Sequence, residues 1–291
     1  MLAADWTVLT ILVLALVVFF ALTFSSSWRT ATARRFAKRV GLTLPDAFAP
    51  AMGSRLARRV RAGVLGALLG AAGGVALLTL QPTTDVNARI WLILGAYFVG
   101  LGIGVAIAAL TEHTAVVDGP RVARSDAVAL DDYVAPFERN GARVVVVVSV
   151  LALIGMLLLP APGTGTVAPT PLKITLVALG ILSLLLFELG SRRIIARSRA
   201  AGSPLELAWD DALRAGAARD LVIAPICLGL WSTLLIASDA GQTVPAVQDM
   251  RLGIGLIVVA LAIIVALIGS AQKPQRYFLR RLWPEMAGAV R

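Results

Sequence analysis

130-LDDYVAPFERNGARVVVVV-148 sets two adjacent aspartates and two arginines ahead of five consecutive valines. The stretch is either a catalytic carboxylate pair or the foot of a membrane helix, and the choice decides the fold. 209-WDDALRAGAARDLVIAPI-226 repeats the plan, so the choice arises twice. Composition favours the helix foot. Hydrophobic residues make up 58% of the chain, charged residues 15%, and the mean hydropathy is +0.84. A soluble domain carries about 25% charged residues.

The apolar residues come in blocks near the length of helix, about 20 residues, that crosses a bilayer. The blocks are 6–24, 63–80, 90–110, 144–160, 174–190, 221–238 and 252–270. The expected fold is therefore all-α, a single transmembrane domain over 1–291 built as a seven-helix bundle. MLAADW lacks the basic start of a cleavable signal, so the first block is expected to remain as a span. Segments 25–62, 111–143, 191–220 and 271–291 hold 9, 4, 6 and 5 of the 27 lysines and arginines. Only Arg89, Lys173 and Arg251 fall on the other side. The basic side is expected to be cytoplasmic, with the N-terminus outside and the C-terminus inside. The net charge of +10 follows from that distribution and gives little reason to expect nucleic-acid binding. Cys227 is the only cysteine, which excludes a disulfide within the chain and a cysteine metal cluster.

The connections near 81–89, 161–173 and 239–251 are short, whereas the basic segments carry structure of their own. In 31-ATARRFAKRVG-41, Ala33, Phe36, Ala37 and Val40 follow helical spacing, with Arg34, Arg35, Lys38 and Arg39 between them and Gly41 placed to cap. This predicts a basic amphipathic helix along an anionic inner leaflet. The tail 276-RYFLRRLW-283 has the same character. In 203-SPLELAWDDALRAGAARD-220, Ser203 and Glu206 form a capping box and Pro204 takes the first helical position. A short amphipathic helix is expected there, leading into the sixth span. A fainter third copy, 46-DAFAPAMGSRLARR-59, aligns with 132-DYVAPFERNGAR-143 on Pro50 and Pro136. Together they suggest one leading span followed by three hairpins.

The chemistry is sparse. Adjacent carboxylates on a helix diverge by about 100°, so neither Asp131–Asp132 nor Asp210–Asp211 suits a shared proton or metal. Arginines 139, 143, 214 and 219 can pair with them instead. The segment 118-DGPRVARSDAVALDD-132 departs from the CDP-alcohol phosphotransferase pattern: three residues, not two, separate Gly119 from Ala123-Arg124, and position 115 is alanine. His113 is the only histidine, beside Glu112, and supports neither a bis-histidine haem nor a multi-histidine zinc site. No lysine in 252–270 serves a retinal. Glu188 stands four residues before Arg192, spacing that suits an ion pair. Gly66, Gly70 and Gly74, with Gly100 and Gly104, make small-residue stripes that predict close packing of spans two and three, or self-association into a homo-oligomer. Pro225 can kink span six.

The phrases 42-LTLPDAF-48 with 55-RLARRVRAGVLGALLG-70, 119-GPRVARSDAVALDDYV-134 and 203-SPLELAWDDALRAGAARDL-221 together resemble a family of uncharacterised multi-spanning actinobacterial membrane proteins. The resemblance implies a bacterial inner-membrane protein and lends no functional residues. Some relatives accompany GntR-type regulators or ABC transporter components.

The leading expectation is a non-enzymatic membrane component that docks a cytoplasmic partner, such as a transporter or signalling subunit, without a cofactor. Asp131, Asp132, Trp209, Asp210, Asp211 and Arg214 are its expected docking surface. The alternatives are a carrier for a small apolar solute or lipid, and a lipid-modifying enzyme using Glu112, His113, Asp118 and Asp126.

Overall fold

A computed structural model describes residues 3–80, 86–111, 128–158, 171–197, 201–243 and 274–288. The helices run α1 Ala3–Leu22, α2 Ser26–Val40, α3 Ala49–Leu80, α4 Val86–Leu110, α5 Leu130–Tyr133, α6 Pro136–Leu158, α7 Pro171–Ala196 and α8 Pro204–Thr243. A 3-10 turn at Pro274–Arg276 leads to α9 Tyr277–Leu282 and α10 Pro284–Gly288. Valines 144–148, whose β-branched side chains fit strands better than helices, lie inside α6. In an apolar surrounding the backbone must satisfy its own polar groups, and a helix does so within one segment.

Among the described residues, five helices are long and apolar enough to cross a bilayer: α3, α4, α6, α7 and α8. The pair Val13–Leu22 and Ser26–Val40, which meet at a 92° bend, makes six if counted together as one broken span. The seventh expected block, 252–270, lies outside the described residues, as do Glu112, His113, Asp118 and Asp126. Apolar side chains face outward along the bundle; Val144, Val147, Leu151, Ile154 and Leu158 form such a stripe on α6. A continuous apolar surface of this kind is unstable in water and suited to lipid. The chain is a multi-span membrane protein.

The glycine stripes set the tightest packing. A Cβ on Gly66, Gly70, Gly100 or Gly104 would overlap the facing helix backbone, and one on Gly74 would stand 3.0 Å from Ile93 Cα. Gly66 and Gly100 each occupy the other's path, so α3 and α4 meet backbone to backbone within one chain. Around this pair, α8 packs on α4, α6 and α7, and α7 on α4 and α6. One apolar cluster gathers Leu92, Leu176, Leu228 and Leu235. A second joins the basic-end helices to the bundle through Met52, Leu56, Tyr133, Trp209, Leu213 and Phe278.

Three expectations change. The helix at 203–220 is not separate: α8 runs unbroken for 40 residues from Pro204, its apolar start continuing into the span. The copy at 209–226 therefore departs from the plan of 130–148: Asp210-Asp211 stands in the helix that becomes the span, whereas Asp131-Asp132 stands in the separate short helix α5, ahead of the span that starts at Pro136. The first copy keeps the plan of the second, a turn at Pro45–Ala49 followed by α3. Finally, α2 forms as expected, capped by Ser25 and by Gly41 at φ 80°, but its apolar face does not lie on lipid. Ala33, Ala37 and Val40 are buried in the cluster that holds Met52 and Trp209.

Candidate functional site

The polar residues that α2, α3, α5, α6, α8 and α9 bring together at the basic end form a set of buried ion pairs. Asp210 sits between two arginines: Arg55 Nη2 donates to Oδ1 at 2.8 Å, and Arg214 Nη2 lies 2.8 Å from Oδ2. Arg214 Nη1 also donates to the Ile195 carbonyl at 3.5 Å. One residue on, Asp211 turns the other way. It accepts from Tyr133 Oη at 2.7 Å and from Trp283 Nε1 at 3.0 Å. The two carboxylates thus look in different directions, as successive helical positions must, and fasten α8 to α3 on one side and to α5 and the α9–α10 junction on the other.

Further pairs extend the clamp. Arg219 holds Glu138 through both carboxylate oxygens, Nη2 to Oε1 at 2.7 Å and Nε to Oε1 and Oε2 at 3.0 and 3.1 Å. Arg59 donates to the Leu213 carbonyl at 3.1 Å and to Asp220. Arg143 Nε donates to Glu188 at 2.7 Å, and the expected Glu188–Arg192 pair is present at 3.6 Å. Burial makes the partners of Asp210 and Glu138 mandatory, since a stranded charge in a low-dielectric interior costs about 3–5 kcal/mol, whereas Asp220, Arg143 and Arg192 reach water and their pairs contribute less.

The six residues expected to face a partner separate into two groups. Trp209, Asp210, Asp211 and Arg214 are buried, with exposures of 1%, 4%, 1% and 7%, and present no surface. The reason is local: their stretch is the start of α8, which α2 covers, with Phe36 stacked 6.1 Å from Trp209 and Trp209 Nε1 donating to the Thr43 carbonyl at 3.1 Å. Asp131 remains exposed and pairs with Arg139. Asp132 accepts from the Ala129 backbone N–H at 2.9 Å and from Arg281 Nε at 3.2 Å. The opening stretch is a helix foot held by its own Arg139 and by Arg281 of α9.

What faces outward is basic. Arg34, Arg35, Lys38 and Arg39 are exposed on α2, opposite its buried stripe. Arg276 reaches across to the carbonyls of Lys38 and Arg39 at 3.3 and 3.4 Å, bringing α9 with exposed Arg280 and Arg281 beside α2. Among the described residues no three His, Cys, Asp or Glu side chains converge as a metal site. A cavity of about 20 Å³ lies beneath the cap, between α3, α4, α7 and α8, with Arg55, Arg58, Arg59 and Arg214 in its wall.

Glu138, Tyr133, Trp283 and the Arg59–Asp220 pair did not stand out in the sequence. Glu138 reads as an ordinary acid in the first turn of a helix, where the macrodipole favours it. Its one signal is position, since a carboxylate next to a long apolar run needs a cation, and 27 basic residues offer no way to choose among them. Comparison of the chain with protein families, with curated proteins and with solved structures returns no match.

Proposed function

We propose that the chain is a non-enzymatic, multi-pass component of the bacterial inner membrane. In this reading it has seven spans, an outer N-terminus and a cytoplasmic C-terminus, and the basic cap docks a cytoplasmic partner bearing an acidic surface, such as a transporter or signalling subunit. The observation that supports this most is the outward basic rim of α2 and α9, in which Arg34 pairs with Asp46 and Arg281 with Asp132, tied together by Arg276 and backed by buried pairs. Because the apolar stripe of α2 packs on protein, its charges point away from the bundle end. A rigid scaffold also spares a binding surface much of the ordering cost of association. The role expected of the Asp-Asp stretches thus passes to the arginines that lie outside them.

The test is gentle extraction of the tagged protein from native membranes, in wild-type form and as Arg35→Glu/Arg39→Glu/Arg280→Glu. A stoichiometric partner lost from a variant with unchanged thermal stability supports the reading. A partner kept at full strength by that variant rejects it, and so does a wild-type protein that comes out alone.

A further inference from the structure

Arg55, Arg59, Arg214 and Arg219 each hold a carboxylate. Arg29 and Arg61, both half-buried, hold only neutral groups among the described residues. Arg29 Nη1 donates to Ser54 Oγ at 3.3 Å, and its Nε is buried without an acceptor. Arg61 Nε donates to the Ala57 carbonyl at 3.3 Å, and its guanidinium lies 4.8 Å over the Phe24 ring. A cation partly withdrawn from water with neutral partners alone is incompletely compensated and favours an anion beside it. The bend between Val13–Leu22 and Ser26–Val40 brings the two arginines to one place. Ser54 and Arg61 are seven residues apart on α3, hence on one face and about 10 Å apart; the bend lays Arg29 beside the first and Phe24 beside the second. Beyond Arg61, Leu65, Leu69 and Gly73 continue that face at four-residue intervals, the leucines exposed and Gly73 facing open space. A cation at the end of an outward apolar stripe marks the level where hydrocarbon gives way to headgroups, and Trp28, edge-on to Phe19 at 5.9 Å, is an aromatic residue suited to that level.

We propose that this corner between the α1–α2 bend and α3 is a binding site for one anionic phospholipid of the adjoining leaflet. Its phosphate sits between Arg61 and Arg29, and one acyl chain runs along Leu65, Leu69 and Gly73. Planar guanidinium forks match the paired oxygens of a phosphate, and the apolar stripe that continues from Arg61 selects a lipid over a free phosphate. This inference is independent of the docking reading, since the site lies on α3 and the bend and not on the outer face of α2.

The full chain in dodecyl maltoside, a detergent without phosphate, tests it through its thermal midpoint while phosphatidylglycerol, phosphatidylcholine or inorganic phosphate is titrated at matched ionic strength. Phosphatidylglycerol is expected to raise the midpoint at a lower concentration than phosphatidylcholine. Arg61→Gln is expected to raise the half-maximal concentration of phosphatidylglycerol about tenfold, the effect of one charge-assisted hydrogen bond, and Arg61→Lys, which keeps the charge and loses the fork, to raise it by less. Arg29→Gln should act in the same direction, and where it fails to fold the two Arg61 variants carry the test. Arg35→Gln, which removes the same charge from the outer face of α2, should respond as wild type. Equal responses to the two lipids, a response to inorganic phosphate without one to phosphatidylglycerol, no response at all, or equal shifts in Arg61→Gln and Arg35→Gln would overturn the proposal.

Discussion

Replacing Glu138 by alanine removes one half of the best-formed buried ion pair in the cap. Its carboxylate is 10% exposed and the Arg219 side chain 21%, and three hydrogen bonds of 2.7 to 3.1 Å join them. At about 3 Å and an effective dielectric near 20, the attraction is roughly 5 kcal/mol before desolvation. Truncating one partner of a buried pair costs about 3–5 kcal/mol, mostly because the other charge is stranded. Arg219 retains some access to water, so the lower end, about 3 kcal/mol, is the expected loss. For a chain of this size that corresponds to a fall in thermal midpoint of about 6 °C, at roughly 2 °C per kcal/mol. Glu138→Gln keeps an acceptor and should fall about half as far. Glu138→Leu/Arg219→Leu, which removes both charges, should recover most of the alanine loss. Tryptophan fluorescence during heating in detergent reads all three, and no tryptophan is altered. A fall below about 1 °C for Glu138→Ala, as for an exposed pair, or a double variant worse than either single one, would refute the argument that burial makes this pair matter.

Other outcomes follow from single contacts. Gly100→Val should prevent α3 and α4 from closing and abolish folded protein, whereas Gly73→Val, whose Cβ meets nothing within 4 Å, should leave the midpoint within about 1 °C. Tyr133→Phe leaves Asp211 one donor short and should cost about 1–3 kcal/mol in the same melt. Trp209→Phe loses one hydrogen bond to Thr43, about 1 kcal/mol, while Trp209→Ala also opens a cavity and should cost about 3–5 kcal/mol. With Cys227 replaced by serine, Arg35→Cys should react with a membrane-impermeant maleimide in inside-out vesicles only. Asp210→Cys should stay unlabelled from either side. Labelling of Arg35→Cys in right-side-out vesicles would reverse the proposed orientation.

The sequence carried the parts of this fold that depend on one segment at a time. Apolar length announced α3, α4, α6, α7 and α8; the glycine spacing announced the α3–α4 contact; Ser203, Pro204 and Gly41 marked helix ends where the structure has them. What it did not carry depends on which segments meet. Local pattern shows that α2 has an apolar face but not whether lipid or protein covers it. Trp209, Asp210, Asp211 and Arg214 looked like a surface because each is polar or amphipathic and lies outside the apolar runs. They are interior because α2, α5 and α9 return from more than 60 positions away to cover them. The partners of Glu138 and Asp211 are equally remote in the chain, at 81, 78 and 72 residues, and no periodicity encodes such a pairing.

The unbroken α8 has a mechanical consequence. Its 40 residues make a rod about 60 Å long, twice the thickness of a bilayer's hydrocarbon core. Its lower end is bolted through Asp210, Asp211 and Arg219, while Trp231 farther along the same rod stacks 4.7 Å from Trp91. A tilt of about 5° would swing one end by roughly 5 Å relative to the other, given the helical rise. Pro225, near the middle, lacks the N–H that would bind the turn before it and so sets the one built-in soft point along the length. The cap and the Trp91–Trp231 contact are thus tied to one continuous lever, with Pro225 between them.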